Sequence, residues 1–372
     1  MTILIAPDKF KGSLTSFEVA AAIQEGLQQQ EGLQVKAFPF ADGGDGFAAV
    51  MKHYLQTETV YCRAVNPLGR EISALYEWDA KNKTAIIEMA VASGLVLLKE
   101  EEKNPLKTSS YGTGLMIQHA IENGSKKIIL GLGGSATNDA GMGILAAMGF
   151  QFVADNNAIL PPCGRNLAAV KKIIKPAAIP AVQFELACDV QNVLYGPQGA
   201  AYIYAPQKGA DAQKVIQLDN GLRNFATVIK AQTGNEIANI PGTGAAGGIA
   251  AGLMGFCSVI LSKGVELIAA ASGIKDQLPQ ADLLITGEGK IDHQSSEGKV
   301  TGYMASLAKQ FNIPCMAICG FSTLSAQEAA TAGFQKIKVL AANAGEIPFA
   351  MDNAAAMVKT QSAAIIKLLV EK

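Results

Sequence analysis

Thr2-Ile-Leu-Ile-Ala-Pro-Asp-Lys-Phe-Lys-Gly-Ser13 and Asp282-Leu-Leu-Ile-Thr-Gly-Glu-Gly-Lys-Ile-Asp292 lie near opposite ends of the chain and share one plan. Each is a short apolar run that stops at small residues and acids, with a helical pattern next along the chain. A run of that length, bounded by turn residues, reads as a strand buried on both faces. After the first run, Thr15–Leu27 shows helical spacing through Val19, Ile23 and Leu27, opened by the capping box Thr15-x-x-Glu18. Gln34–Phe40 is the next apolar stretch, so the first 40 residues predict a βαβ unit. After the second run, Lys299–Gln310 predicts a helix, Pro314–Cys319 a strand, Ser325–Ala332 a helix, Lys336–Ala341 a strand and Phe349–Leu369 a long last helix. Alternation of this kind predicts an α/β fold with a doubly wound parallel sheet.

The middle of the chain differs. Glu71–Asp79 and Lys83–Met89 are strand-like runs joined by Ala80-Lys81-Asn82, an antiparallel hairpin; Asp155-Asn156-Asn157 reads as another turn. Helical patterns fall at about 113–122, 140–148, 212–231 and 263–271. The expectation is a discontinuous doubly wound domain made of residues 1–67 and 276–372, interrupted by a mixed α/β domain at 68–275. Ile3–Ile5 and Leu283–Ile285 must then share a sheet.

Composition bounds the function. The chain has 372 residues, enough for two or three domains, with 17% charged residues, 38 glycines and a net charge of -1. The apolar content is too high for a disordered chain, and a nucleic-acid binder would carry a basic excess that is missing here. The N-terminus has neither the basic region nor the apolar length of a signal peptide. The uncharged stretch 237–262 contains Pro241 and six glycines, so it reads as a loop and buried helix rather than a membrane span. Six cysteines form no C-x-x-C pair, which suits a reduced, cytoplasmic protein. Without a His/Cys/Asp cluster at ligand spacing a zinc site is not expected; His53, His119 and His293 read as ordinary polar residues.

The chemistry gathers in glycine-rich loops beside strands or helices. In Ala6–Ser13, Asp8, Lys9, Lys11 and Ser13 converge where a strand meets the next helix, a natural anion site. In Ala41-Asp-Gly-Gly-Asp-Gly46, Asp42 and Asp45 flank two glycines and could reach a cation or a sugar hydroxyl. Leu130-Gly-Leu-Gly-Gly-Ser-Ala-Thr-Asn-Asp-Ala-Gly-Met-Gly143 is the most distinctive stretch. Its glycines, Gly133 and Gly134 among them, let backbone N–H groups approach a phosphate, with Ser135, Thr137 and Asn138 as further donors. Asp139 could bind Mg2+ or cap the following helix. The loop matches neither the Walker A nor the Rossmann fingerprint. Leu186–Asn192 carries Asp189 and Asn192, a metal or substrate pair, while Pro241–Gly248, with Gly247, suits a nucleotide base or close helix packing. Thr286–Lys299 carries Glu288, Asp292 and Lys299, the carboxylates and cation that phosphoryl transfer uses.

In this order the motifs APDKFKGSL, FADGGDG, GLGGSATNDAGMG, CDVQN, PQKGA, PGTGAAGG and TGEGKIDHQS resemble the bacterial glycerate kinase family, from Ile3 to about Gly320. The resemblance implies ATP-dependent phosphorylation of D-glycerate with Mg2+, to 2-phosphoglycerate. It also implies two α/β domains, one flavodoxin-like and built from both termini, with the active site in the cleft between them. Ala140 stands where the family often has Gly, Val193 where it has Pro, and Leu115 where it has Glu. Under this reading Lys9, Lys11 and Ser13 hold the glycerate carboxylate or the transferred phosphate. Asp189 is the first candidate for orienting the acceptor hydroxyl, and Asp8 the second. Asp42, Asp45 and Asn192 meet the substrate. Gly133, Gly134, Ser135, Asn138, Asp139, Gly247 and Glu288 meet ATP, and Asp292, Glu288 and Asp189 are the metal candidates. A 3-phosphoglycerate-forming kinase, a Mg2+-dependent phosphatase of small phosphorylated acids and a non-catalytic nucleotide sensor are the competing readings. The chain is expected to work as a monomer or homodimer, without membrane or nucleic-acid partners.

Overall fold

The computed structural model describes residues 1–28, 30–293 and 299–370. Thirteen strands are described: β1 (Thr2–Pro7), β2 (Gln34–Ala37), β3 (Glu58–Val65), β4 (Glu71–Asp79), β5 (Thr84–Glu88), β6 (Lys127–Gly131), β7 (Gln151–Val153), β8 (Lys172–Ile174), β9 (Gln183–Ala187), β10 (Ser258–Ser262), β11 (Leu283–Ile291), β12 (Cys315–Ser322) and β13 (Lys336–Val339). They belong to two compact units, one of residues 1–42 with 263–372, the other of residues 43–262.

The discontinuous unit is built on a five-stranded sheet in the order β13-β12-β11-β1-β2, every pair parallel. Numbered within the unit, that order is 2-1-3-4-5, a flavodoxin-like doubly wound sheet. Ile3 pairs with Leu283 and Ile5 with Ile285, so the two runs that open and close the chain lie side by side. Both faces of these strands are covered, which is why they read as unbroken apolar runs. Ile3, Ile5, Val19, Ile23, Leu27, Ile285, Ile318, Val358 and Ile365 form its core, each large side chain contributing roughly 1.5–3 kcal/mol on burial. Thr15 caps the helix Ser16–Leu27 with the full reciprocal box to Glu18. β2 is shorter than expected, although Phe38 and Phe40 still donate to the carbonyls of Ile5 and Pro7. The expected long last helix is two, Ile347–Asp352 and Ala354–Val370. At the break Asn353 turns its side-chain amide onto the Phe349 carbonyl at 2.9 Å, the local competition that makes Asn a poor helix-interior residue.

The continuous unit carries a six-stranded mixed sheet, β10-β9-β6-β5-β4-β3, with a small antiparallel pair of β7 and β8 beside it. β5, β6, β9 and β10 run parallel, while β3, β4 and β5 form an antiparallel meander. The expected boundaries at 67/68 and 275/276 differ from the observed ones at 42/43 and 262/263. β3 explains the first difference, because it registers along all of β4 and takes the preceding helix Phe47–Leu55 with it. For the second, Lys36 of β2 donates to Gln277 at 2.6 Å, tying the helix Ile274–Gln277 to the discontinuous unit. The uncharged stretch 237–262 holds the glycine loop, the buried helix Ile249–Met254 and the strand β10. Among the described residues no helix is long and apolar enough to cross a membrane.

Candidate active site

In an open parallel sheet, ligands bind outside the carboxyl ends of the strands where the strand order reverses. In the five-stranded sheet that point falls between β1 and β11. Asp8 follows the last residue of β1 directly, and Glu288 is the sixth of the nine residues of β11. Asp8 is only 7% exposed. Its Oδ1 accepts the Lys9 backbone N–H at 2.7 Å. The Lys9 ammonium stands 3.7 Å from Asp8 and 3.5 Å from Asp42. Burial pushes the Asp8 carboxyl up from 3.8 to about 7; Lys9 pulls it back, and Asp42 and Glu288 push it further. A carboxyl with that affinity is half-deprotonated at neutral pH, where a general base works best.

Glu288 accepts the Thr301 hydroxyl at Oε2 (2.7 Å) and the Lys299 ammonium at Oε1 (3.2 Å). Burial raises its proton affinity, while Thr301 and Lys299 act against that. Asp292 is half-buried and pairs with Lys290 at 2.9 Å. Lys11 is exposed, and the Ser13 hydroxyl donates to the Met351 carbonyl at 2.7 Å, so its proton serves the fold. The tail of the Thr286–Lys299 segment, 294–298, lies outside the described residues. His293 faces Glu328 on the surface, and His119 bonds Tyr76.

In the six-stranded unit, four of the quoted loops converge at the carboxyl end of the sheet. A Cβ on Gly43, at φ 84°, would stand 3.1 Å from the Ala187 Cβ and 3.3 Å from Oδ2 of Asp189. A Cβ on Gly133 would meet Gly44 Cα at 2.4 Å. Glycine there lets the Gly43–Gly44 turn, the Gly133 loop and the end of β9 close on one another. Asp45 is exposed and Asp189 half-buried. Asn192 is engaged at both ends of its amide, donating to the Gln198 carbonyl at 2.9 Å and accepting the Tyr204 hydroxyl at 2.5 Å. It shapes its own loop.

The Gly133–Asp139 loop is held from behind. The Thr108 hydroxyl donates to the Ala136 carbonyl at 2.8 Å, and the Lys208 ammonium donates to the Thr137 carbonyl at 2.7 Å and to Ser135 Oγ at 2.9 Å. Asp139 ties the turn before the helix Met142–Ala147 to Ser110. Its carboxylate accepts the Ser110 N–H and hydroxyl, both at 2.8 Å, and the N–H groups of Gly141 and Gly143, both at 3.2 Å. Gly247, at φ 75°, packs its backbone on the same loop: a Cβ there would stand 2.2 Å from the Thr137 carbonyl oxygen. Close packing is therefore what that glycine provides.

The loop is left with unmet donors. Thr137 Oγ1 and both polar atoms of the Asn138 amide are fully buried and have no partner among the described residues. Buried polar atoms are seldom left so; the two donors among them, Thr137 Oγ1 and Asn138 Nδ2, suit a phosphate oxygen, while Asn138 Oδ1 is an acceptor. Carboxylates such as Glu288 and Asp292 are the hard oxygen donors Mg2+ takes. Among the described residues no group of three or more His, Cys, Asp or Glu could hold a metal. Mg2+ in phosphoryl transfer is usually held by one or two carboxylates plus phosphate oxygens and water.

Reading the sequence missed Lys208, which lies in the quoted PQKGA segment but reads as a solvated loop lysine, and Thr301, one residue into a helix. Burial gives both their importance, and a single sequence does not display it.

The glycerate kinase family model matches residues 3–370. A glycerate kinase of Halalkalibacterium halodurans is 42% identical over 86% of this chain and 85% of its own. The glycerate 2-kinase of Escherichia coli K12 is 39% identical over 87% of this chain and 86% of its own. The crystal structure of a protein from Salmonella typhimurium LT2, assigned as glycerate kinase 2, superposes with a TM-score of 0.86 at 34% identity, covering 100% of this chain and 98% of that one.

Proposed function

The chain belongs to the glycerate kinase family, and from that premise we propose that it transfers the γ-phosphoryl group of ATP to the 2-hydroxyl of D-glycerate, giving 2-phosphoglycerate and ADP. The observation that carries the reading is Asp8: a buried carboxyl with its proton affinity raised to about 7, at the switch point of a parallel sheet, beside Lys9. Lys9 would hold the glycerate carboxylate, and Lys11 would add charge at the entrance of the same loop. Asp8 would accept the proton of the reacting hydroxyl. This gives Asp8 the part for which Asp189 was the first candidate; Asp189 is left to meet ligand at the end of β9. Asp42, 3.5 Å from Lys9, would keep that ammonium aimed.

Glu288 and Asp292 would hold Mg2+, and the Gly133–Asn138 loop would hold the nucleotide phosphates through Thr137, Asn138 and backbone N–H groups. When bound, ATP supplies the phosphoryl group and Mg2+ neutralises charge on its oxygens. Positioning and charge stabilisation are then what the protein contributes. The six cysteines are free thiols, which fits a reducing compartment, and we place the reaction in the cytoplasm.

The test is a coupled assay with D-glycerate and ATP, read with enolase alone or with phosphoglycerate mutase before it. Signal with enolase alone is expected. Signal only with the mutase assigns the 3-isomer, and phosphate released from phosphoglycerate without nucleotide would replace the kinase by a phosphatase.

A further inference from the structure

Lys208 ends the short turn Pro206–Lys208 and is 2% exposed. A lysine is almost never so enclosed without a specific partner. Here it has two, both in the Gly133–Asp139 loop: Ser135 Oγ at 2.9 Å and the Thr137 carbonyl at 2.7 Å. Its own backbone is set from below, by its N–H to the Ala205 carbonyl and by Gly209, where a Cβ would stand 2.2 Å from the Lys103 carbonyl oxygen. The ammonium therefore reaches the loop from a rigid base.

The carbonyl it holds determines more than itself. In a trans peptide unit the C=O and the following N–H point in opposite directions. With the Ala136 carbonyl held by Thr108 and the Thr137 carbonyl by Lys208, the N–H groups of Thr137 and Asn138 are turned the other way. Among the described residues neither of those N–H groups, nor that of Asp139, meets an acceptor. The Thr137 hydroxyl and the Asn138 amide, in the same stretch, are unpartnered as well. Successive free N–H groups beside unpartnered side-chain donors are what an anionic oxygen requires.

We propose that Lys208 is a positioning residue for the nucleotide: by fixing the Thr137 carbonyl and the Ser135 hydroxyl from inside the fold, it aims the Asn138 N–H at a phosphoryl oxygen. The proposal rests on the reading of this loop as the phosphate site. Burial lowers the Lys208 ammonium to about 7 and Asp139 acts against that, so the position is a costly one for a lysine whose only task is packing.

The experiment compares wild type, Lys208→Met and Lys208→Arg by calorimetric titration with ADP and by steady-state kinetics, after thermal unfolding has shown which variants fold. Lys208→Met is expected to weaken ADP binding tenfold or more and to raise the KM for ATP in proportion. The KM for D-glycerate should stay within twofold, and Lys208→Arg should recover part of the loss. A general loosening of the unit would move both KM values and would not be rescued by another cation. If Lys208→Met does not fold, Ser135→Ala removes one of the two acceptors and should weaken ADP binding about threefold. A folded Lys208→Met with ADP affinity within twofold of wild type, or an unchanged Ser135→Ala in its place, overturns the proposal. A wild-type chain that turns over D-glycerate confines that failure to Lys208; one that binds no ADP overturns the loop reading together with it.

Discussion

Replacing Asp8 with Asn should make the protein more stable and almost inactive, and the size of the first effect follows from its surroundings. The carboxyl binds its proton with an affinity of about 7 in the fold against 3.8 in the unfolded chain. A group with a raised affinity contributes stability that is fully present below the unfolded value and is lost as pH rises through the folded one. At 1.36 kcal/mol per unit, a rise of about three units corresponds to about 4 kcal/mol, mostly from taking the charged form out of water. Roughly 2.5 kcal/mol of that falls between pH 5 and pH 8. Asn has the same shape and never ionises, so Asp8→Asn lacks this loss. Chemical denaturation of both proteins without ligand, at pH 5 and pH 8, gives the stability difference at each pH. The variant's advantage should grow by about 2–3 kcal/mol between the two, while kcat falls by roughly two to four orders of magnitude. An advantage that is equal at both pH values would refute the assignment of a raised carboxyl at Asp8. In wild type the turnover number should rise with pH through about 7.

Three further outcomes are expected. Lys9→Ala should raise the KM for D-glycerate roughly tenfold or more, as loss of a charged contact would, with the KM for ATP little changed; an unaltered glycerate KM removes Lys9 as the carboxylate clamp. Asp139→Asn puts an amide against the N–H groups of Ser110 and Gly143 and should cost about 2–4 kcal/mol in denaturation; a shifted Mg2+ dependence at normal stability would return Asp139 to the list of ligands. Gly247→Ala forces a Cβ at φ 75° onto the Thr137 carbonyl and should cost about 3 kcal/mol while weakening ADP binding, and a stable variant with normal ADP affinity would contradict the packing described.

The two apolar runs that frame the chain announced their sheet, because strands buried on both faces leave an unbroken signature at any separation in sequence. β3 left none. It lies at the edge of its sheet with Glu58, Tyr61 and Arg63 exposed, and these make it read as a polar connection. Missing it displaced the expected domain boundary. The break at Asn353 was hidden for a related reason: helical periodicity continues on both sides of it. At the site, the glycine loops and acids were legible because turns and charges at strand ends have few other uses. Which carboxylate is ringed by backbone donors and which sits among other charges was not legible. Burial raises the proton affinity of both Asp139 and Asp8, and they differ in their neighbours: N–H and hydroxyl donors of Ser110, Gly141 and Gly143 around the first, the charges of Lys9, Asp42 and Glu288 around the second. Lys208 was unreadable for the same reason, since a loop lysine looks solvated until its enclosure is known.

The pairing of β1 with β11 has a consequence for how the molecule comes into being. Some 280 residues separate Ile3 from Leu283, so the closure entropy for the central pair of the five-stranded sheet is met only when most of the chain exists. On a ribosome the continuous unit, 43–262, is complete first and can fold as it emerges. The first 42 residues must wait beside it with β1 lacking a neighbour on one side. Asp8 and Glu288 approach each other only when β11 arrives. Asp8, Lys9 and Asp42 are synthesised first, so an interrupted chain holds this group of charges without Glu288, and order of synthesis makes its completion one of the last events of folding.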